Sequence, residues 1–206
     1  MVEADLALGP HLVQDGDTVI AIASSGLHSN GYSLVRHVLA QRGIGYGEHS
    51  DELGGRVGEV LLEPTRLYTA PLLDLLGDPV FAGTVHALSH VTGGGIAANL
   101  ARVLPLGSWV EVDRSTWAPL PVFRVLADMG AMRVESTEGT WNLGIGMFAV
   151  VQRSAAAQIV AALGASGLAA WAVGEVSTAD HDLGGFEQGA KGVDGGAVRL
   201  TGAFAG

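Results

Sequence analysis

The 206-residue chain contains no cysteine. That excludes disulfides, thiolate zinc sites, iron–sulfur clusters and cysteine nucleophiles together, and it fits a reducing compartment. Lysine is nearly absent as well: Lys191 stands alone, so ten of the eleven basic residues are arginine. A Walker A loop needs a lysine directly after its final glycine, and no such run exists. Against those eleven cations stand 21 acidic residues, for a net charge of −10. No basic face is therefore offered to nucleic acid, and any phosphorylated ligand must be held by helix N-termini, backbone N–H groups, an arginine or a bound cation. Apolar runs such as Thr18–Ala23 and Gly146–Val151 fall far short of the ~18 residues that cross a bilayer. The start, Met1-Val-Glu-Ala-Asp-Leu6, lacks the basic and apolar regions of a signal peptide, so a soluble cytoplasmic protein is expected. A G-x-S-x-G elbow is missing too, leaving a nucleophilic serine without support.

What is present is a large apolar fraction, 48%, with only 16% charged residues, the composition of a well-buried globular fold. Without a linker, low-complexity stretch or repeat, residues 1–206 are read as one domain. Asp15-Gly-Asp17 signals a turn, Thr18–Ala23 a buried strand, Ser24–Gly31 a polar loop, and Tyr32–Gln41 a helix. Pro64 is expected in the first turn of a helix reaching Leu76, with Pro71 kinking or splitting it. Thr84–Val91 reads as a strand, Thr92–Gly95 as a tight loop, and Ile96–Leu104 as a helix stopped by Pro105. Ser108–Asp113, Gly146–Gln152 and Ala169–Val176 read as strands. Pro119–Met129 and Ser154–Leu163 read as helices, the latter capped by Ser154. The glycine-rich tail from Asp182 is expected to be loop with one short strand near Val198–Leu200. Single strands separated by helices predict an α+β, layered α/β sandwich: a mixed β-sheet covered by helices.

Two of the loops have the makings of an anion site. Ser24-Ser-Gly-Leu-His-Ser-Asn-Gly31 joins a buried strand to a helix, where free N–H groups, hydroxyls and the Asn30 amide can hold phosphate and His28 can move a proton. An ordinary capped connection satisfies the same pattern. His90-Val-Thr-Gly-Gly-Gly95 repeats the device, its three glycines pointing to close approach of a ligand or of another chain segment. The same loop supports a rival. Gly93, Gly95 and Ala98 match G-x-G-x-x-A, and Asp113 lies where a dinucleotide fold places its ribose-binding acid. His86 and His90 do not read as a metal pair, because an extended run separates them by ~13 Å. Glu138, Thr140 and Asn142 form a polar cluster that either lines a pocket or belongs to a surface hairpin.

Taken in order, four segments resemble phosphoribosylformylglycinamidine cyclo-ligase, also called aminoimidazole ribonucleotide synthetase. They are Ser24–Ser33, Leu62-Glu-Pro-Thr-Arg-Leu-Tyr68, Val85–Gly95 and Thr140-Trp-Asn-Leu-Gly-Ile-Gly-Met147. The resemblance covers only the C-terminal domain of that enzyme and implies an N-terminal domain ahead of it that carries most of the ATP and Mg2+ site and the homodimer contact. It implies ATP-dependent ring closure of formylglycinamidine ribonucleotide, which this domain would not complete unaided. It further implies polar or proton-handling roles for His28 and His90, and substrate contacts from Ser25, Ser29, Asn30, Thr140 and Asn142. Phosphate would face Thr92, Gly93, Gly94 and Gly95. No metal ligand is assigned to this half. Leu27 and Trp141 stand where the family often has proline and phenylalanine. Sibling ATP-using enzymes such as selenophosphate synthetase and thiamine-monophosphate kinase share the two-domain plan.

Overall fold

The organising strand is β1 (Thr18–Ala23), which is apolar on both faces and buried along its interior. A strand reads that way only when layers cover it from both sides. Val19 and Ala21 enter one core, Ile20 and Ile22 the other, as the two-residue period of a strand requires. In the computed structural model, which describes residues 7–190 and 192–205, those layers are helices. The readings made at Met1–Leu6 and Lys191 lie outside the described residues.

In chain order β1 is followed by α1 (Tyr32–Arg42), a small hairpin of β2 (His49–Ser50) and β3 (Gly55–Arg56), α2 (Val57–Leu61) and α3 (Thr69–Gly77). Then come β4 (Val85–His90), α4 (Gly95–Ala101), β5 (Trp109–Asp113), α5 (Pro121–Met129) and β6 (Ile145–Val151). The chain closes with α6 (Ala156–Ala165), β7 (Ala170–Ser177), β8 (Glu187–Ala190) and β9 (Val193–Thr201). Seven strands form one sheet in the order β4-β6-β1-β7-β5-β9-β8. The pairs are antiparallel except β5 with β9, so the sheet is mixed. Val35 and Leu39 of α1, Ile96 and Leu100 of α4, and Phe123 and Leu126 of α5 cover one face. Leu72 and Leu75 of α3 with Ile159 and Leu163 of α6 cover the other. The expected layered sandwich with a mixed sheet is what forms.

Several local expectations change. Pro71 is the third residue of α3, a position whose N–H has no intrahelical acceptor, so it neither kinks nor splits the helix. Pro64 stays in the preceding loop. Pro121, not Pro119, opens α5. Ser154 does not cap α6; it sits in a single 3-10 turn, Arg153–Ala155, and Ala155 precedes the helix without a side-chain cap. The tail is more ordered than its glycine content suggests, because β9 is nine residues long and pairs with both β5 and β8. Its glycines answer to packing: a Cβ on Gly195 would stand 2.2 Å from the carbonyl oxygen of Ala101.

The dinucleotide-binding alternative fails on topology. In that fold the strands flanking the glycine loop lie side by side in parallel. Here β4 occupies the sheet edge and pairs antiparallel with β6, with β6, β1 and β7 standing between it and β5. Asp113 instead accepts a 2.8 Å bond from Ser115 N at the 3-10 turn after β5.

Gly95 shows how tightly these corners are set. At φ +74° a Cβ there would fall 1.7 Å from the carbonyl oxygen of Glu138, which already accepts from Ile96 N at 3.0 Å. Gly95→Ala is expected to cost about 3 kcal/mol or more in urea unfolding; a loss under about 1 kcal/mol would mean the two segments separate freely.

Candidate functional site

Strands β1 and β4 run in the same direction, each antiparallel to β6. Their C-terminal ends therefore emerge together, beside the start of β6. The two strand-to-helix corners meet there: a Cβ on Gly93 would lie 3.8 Å from Asn30 Oδ1. Three rings join them. His28, Tyr68 and His90 sit with centroids 6.1 Å (His28–Tyr68), 6.3 Å (His28–His90) and 6.1 Å (Tyr68–His90) apart. Gly146 of β6 lies against this triangle, where a Cβ would come within 1.8 Å of Tyr68 Oη and 2.9 Å of His28 Cε1. Only glycine leaves room for it.

His28 is 4% exposed and adopts φ +56°, rare for a residue with a side chain. Its Nε2 accepts from Ser25 N at 3.1 Å and from Arg66 N at 3.5 Å. An acceptor at Nε2 puts the ring proton of the neutral form on Nδ1. Burial, then the neighbouring His90 and Arg66, push the pKa of His28 down to about 4. His90, at the exposed end of β4, is lowered in the same direction by partial burial. Tyr68 donates its hydroxyl to Ala23 O at 2.8 Å, and burial raises its pKa. At neutral pH the triangle is thus three uncharged rings.

Beside it opens a cavity of about 600 Å³ lined by Ser29, Asn30, Ser33, Arg36, Glu63 and Thr65, among others. Helix α1 begins at this wall with Gly31 as its N-cap, without a side-chain cap and without an acidic residue in its first turn. The N–H groups of such a start, together with the Arg36 guanidinium, are suited to an anion. Glu63 is the carboxylate on the same lining.

The remaining expected site residues divide into those that face the cleft and those that build it. Ser25 Oγ donates to Pro64 O at 2.6 Å, tying the first corner to the Leu62–Tyr68 segment. Asn142, 3% exposed, is held by three bonds: Oδ1 accepts from Ser24 Oγ and Gly144 N, and Nδ2 donates to Gly26 O. Its place is behind the cleft wall and not on it. Thr140 is half-buried with its N–H bonded to Thr137 O, and Trp141 beside it donates Nε1 to Gly31 O at 3.3 Å. Thr92 Oγ1 donates to Asn99 Oδ1, and Gly95 N donates to Thr92 O. Of the three glycines, Gly93 and Gly94 are exposed, whereas Gly95 is buried against Glu138. One part of the triple-glycine signal therefore reports a chain crossing, not a ligand.

Sequence reading assigned no role to Tyr68, Arg36 or Asn99. Asn99 is fully buried and donates to Thr92 O and Gly95 O, holding the glycine corner from inside. A polar residue within the apolar run Ile96–Ala101 was the available signal. Among the described residues no three His, Asp or Glu side chains converge as a metal site, and His86 is occupied by a buried 2.6 Å contact with Asp17. No helix of the described residues is long and apolar enough to cross a membrane.

This architecture defines a class. It is shared with thiamine-monophosphate kinase from Stenotrophomonas maltophilia K279a, at TM-score 0.57 and 16% identity over 99% of this chain and 56% of that one. It also matches T. maritima PurL complexed with ADP, at TM-score 0.51 and 12% identity over 98% and 25%. At such identities the likeness is one of fold. Residues 14–184 match the family described as AIR synthase related protein, C-terminal domain, and the chain belongs to that family. A Streptomyces fradiae protein provisionally named phosphoribosylformylglycinamidine cyclo-ligase is 46% identical over 195 residues, 94% of this chain and 100% of that protein. The phosphoribosylformylglycinamidine cyclo-ligase of Sorangium cellulosum is 42% identical over 177 residues, and that of Synechococcus elongatus 40% over 172. The chain spans about half the length of these last two, 50% of each.

Asn142→Ala would leave Ser24 Oγ, Gly144 N and Gly26 O without their partner. A loss of about 2–4 kcal/mol in unfolding free energy is expected, and a near-neutral effect by denaturant titration would show that water replaces the amide.

Proposed function

We propose that this chain is the C-terminal half of an ATP-dependent cyclo-ligase that closes formylglycinamidine ribonucleotide to aminoimidazole ribonucleotide in purine biosynthesis. The observation that carries the reading is the meeting of all four motif segments at one end of the sheet, through His28, Tyr68, His90 and Gly146, beside a cavity walled by an uncapped helix start and Arg36. The 40–46% identical relatives named for this reaction support it.

In this reaction ATP transfers its γ-phosphoryl group to the formamide oxygen, turning a poor leaving oxygen into a good one. The amidine nitrogen then attacks that carbon, a C–N bond forms, the C–O bond breaks, and phosphate leaves along with a proton. The chain's own contribution is to bind and to orient. The start of α1 with Arg36 holds an anionic group of the ribonucleotide, Ser29 and Asn30 bound the space beside it, and Gly93 adjoins Asn30. His90, exposed and uncharged at neutral pH, is placed to take up the proton. Holding both reacting groups in a fixed geometry supplies much of the rate. Mg2+ would offset phosphoryl charge; with no acidic cluster among the described residues, its ligands belong to an N-terminal domain of the same enzyme. That domain, a homodimer contact through it, and a cytoplasmic location complete the reading.

Joining this chain to the preceding half of the Sorangium cellulosum relative, in place of that protein's own C-terminal half, tests it. ATP-dependent consumption of formylglycinamidine ribonucleotide is expected, with kcat reduced about 100-fold by His90→Ala. A folded chimera that binds ATP without turning over would refute the assignment.

A further inference from the structure

The triangle contains one histidine that reaches the cavity lining yet has its Nε2 lone pair already engaged. His28 is almost fully buried, and its Nε2 lone pair already receives two backbone N–H groups from different segments, Ser25 in the first corner and Arg66 in the Leu62–Tyr68 stretch. Those segments touch a second time through Ser25 Oγ and Pro64 O. Together they form one wall of the 600 Å³ cavity. A protonated ring would carry a hydrogen on Nε2 and could accept neither bond. The groups around it offer an imidazolium no compensation: Tyr68 and His90 present uncharged rings, Arg66 brings a like charge, and no carboxylate bonds to the ring among the described residues. Glu63 lines the cavity without a bond to it.

We infer that His28 is a positioning residue and not a proton carrier: a neutral imidazole, protonated at Nδ1, whose Nε2 clamps the Ser24–Gly31 corner to the Leu62–Tyr68 segment, so the cleft wall is assembled only while the ring is uncharged. Its bearing on ring closure rests on the function proposed above; the clamp itself does not. The folded pKa of about 4 lies below the ordinary 6.5, so between those values the unfolded chain holds more protons than the folded one. The clamp's contribution to stability is complete above pH 6.5 and declines as pH falls towards 4.

Histidine ring NMR and amide hydrogen exchange on the intact chain test this without any turnover assay. The expected result is a His28 ring that is Nδ1-protonated at pH 7 and titrates near pH 4. In His28→Leu the Ser25 and Arg66 amides should exchange about tenfold faster. In His28→Gln, whose side-chain oxygen can take the place of Nε2, protection should return. Both variants carry the same left-handed backbone cost, so their difference isolates the acceptor. An Nε2-protonated ring, titration near 6.5, or equal exchange in the two variants would overturn the inference. The wild-type titration decides the matter alone if the leucine variant does not fold. Loss of turnover in the chimera with the clamp intact would sink the cyclo-ligase reading and leave this one standing.

Discussion

The antiparallel pairing of β6 with both β1 and β4 determines where chemistry can occur in this domain. Two strands that share a partner in this way must finish at the same end of the sheet. Their following loops, which start 67 residues apart at Ser24 and Val91, therefore become neighbours. Everything placed at that end depends on this one register: Gly146 sits under the rings because it is the second residue of β6, and Asn142 reaches Ser24 because the chain enters β6 directly opposite the exit of β1.

Much of this was legible in the residues. The run Thr18–Ala23 announced a strand covered on both faces, and the helical spacing of Leu34, Val35, Val38 and Leu39 placed α1 within a residue of its observed end. The two corners were recognised as the same device from their chemistry. Strand neighbours were not readable, because local periodicity carries no information about which strand lies beside which. That is why a glycine pattern compatible with a dinucleotide fold survived until β4 was seen at the sheet edge. The tail misled for a different reason: glycine signals a loop when it supplies conformational freedom, yet Gly195 is there to let β9 pass beside α4.

Within the site, residue type was visible and role was not. A histidine in a polar loop reads as a proton carrier, and only its neighbours reveal that His28 is buried and already engaged at Nε2. Asn142 and Thr92 likewise look like ligand contacts in sequence, but their polar atoms are committed to other chain segments. Conversely, Arg36 and Tyr68 carried no motif of their own and gain meaning from where α1 begins and where α3 is entered.

The ties that build the cleft wall run almost entirely from a side chain in one segment to the main chain of another, as with Ser25 to Pro64, Tyr68 to Ala23, Trp141 to Gly31 and Asn142 to Gly26. Main-chain acceptors are present whatever residue occupies the position, so the giving side of each tie is set by residue type, whereas the receiving side is constrained only where space is short, as at Gly31, whose Cβ would fall 2.3 Å from the Trp141 ring. An engineer grafting this cleft onto a related scaffold would need to transplant the donors from these three segments as a set. Carried over singly, any one segment would arrive with its struts attached to nothing.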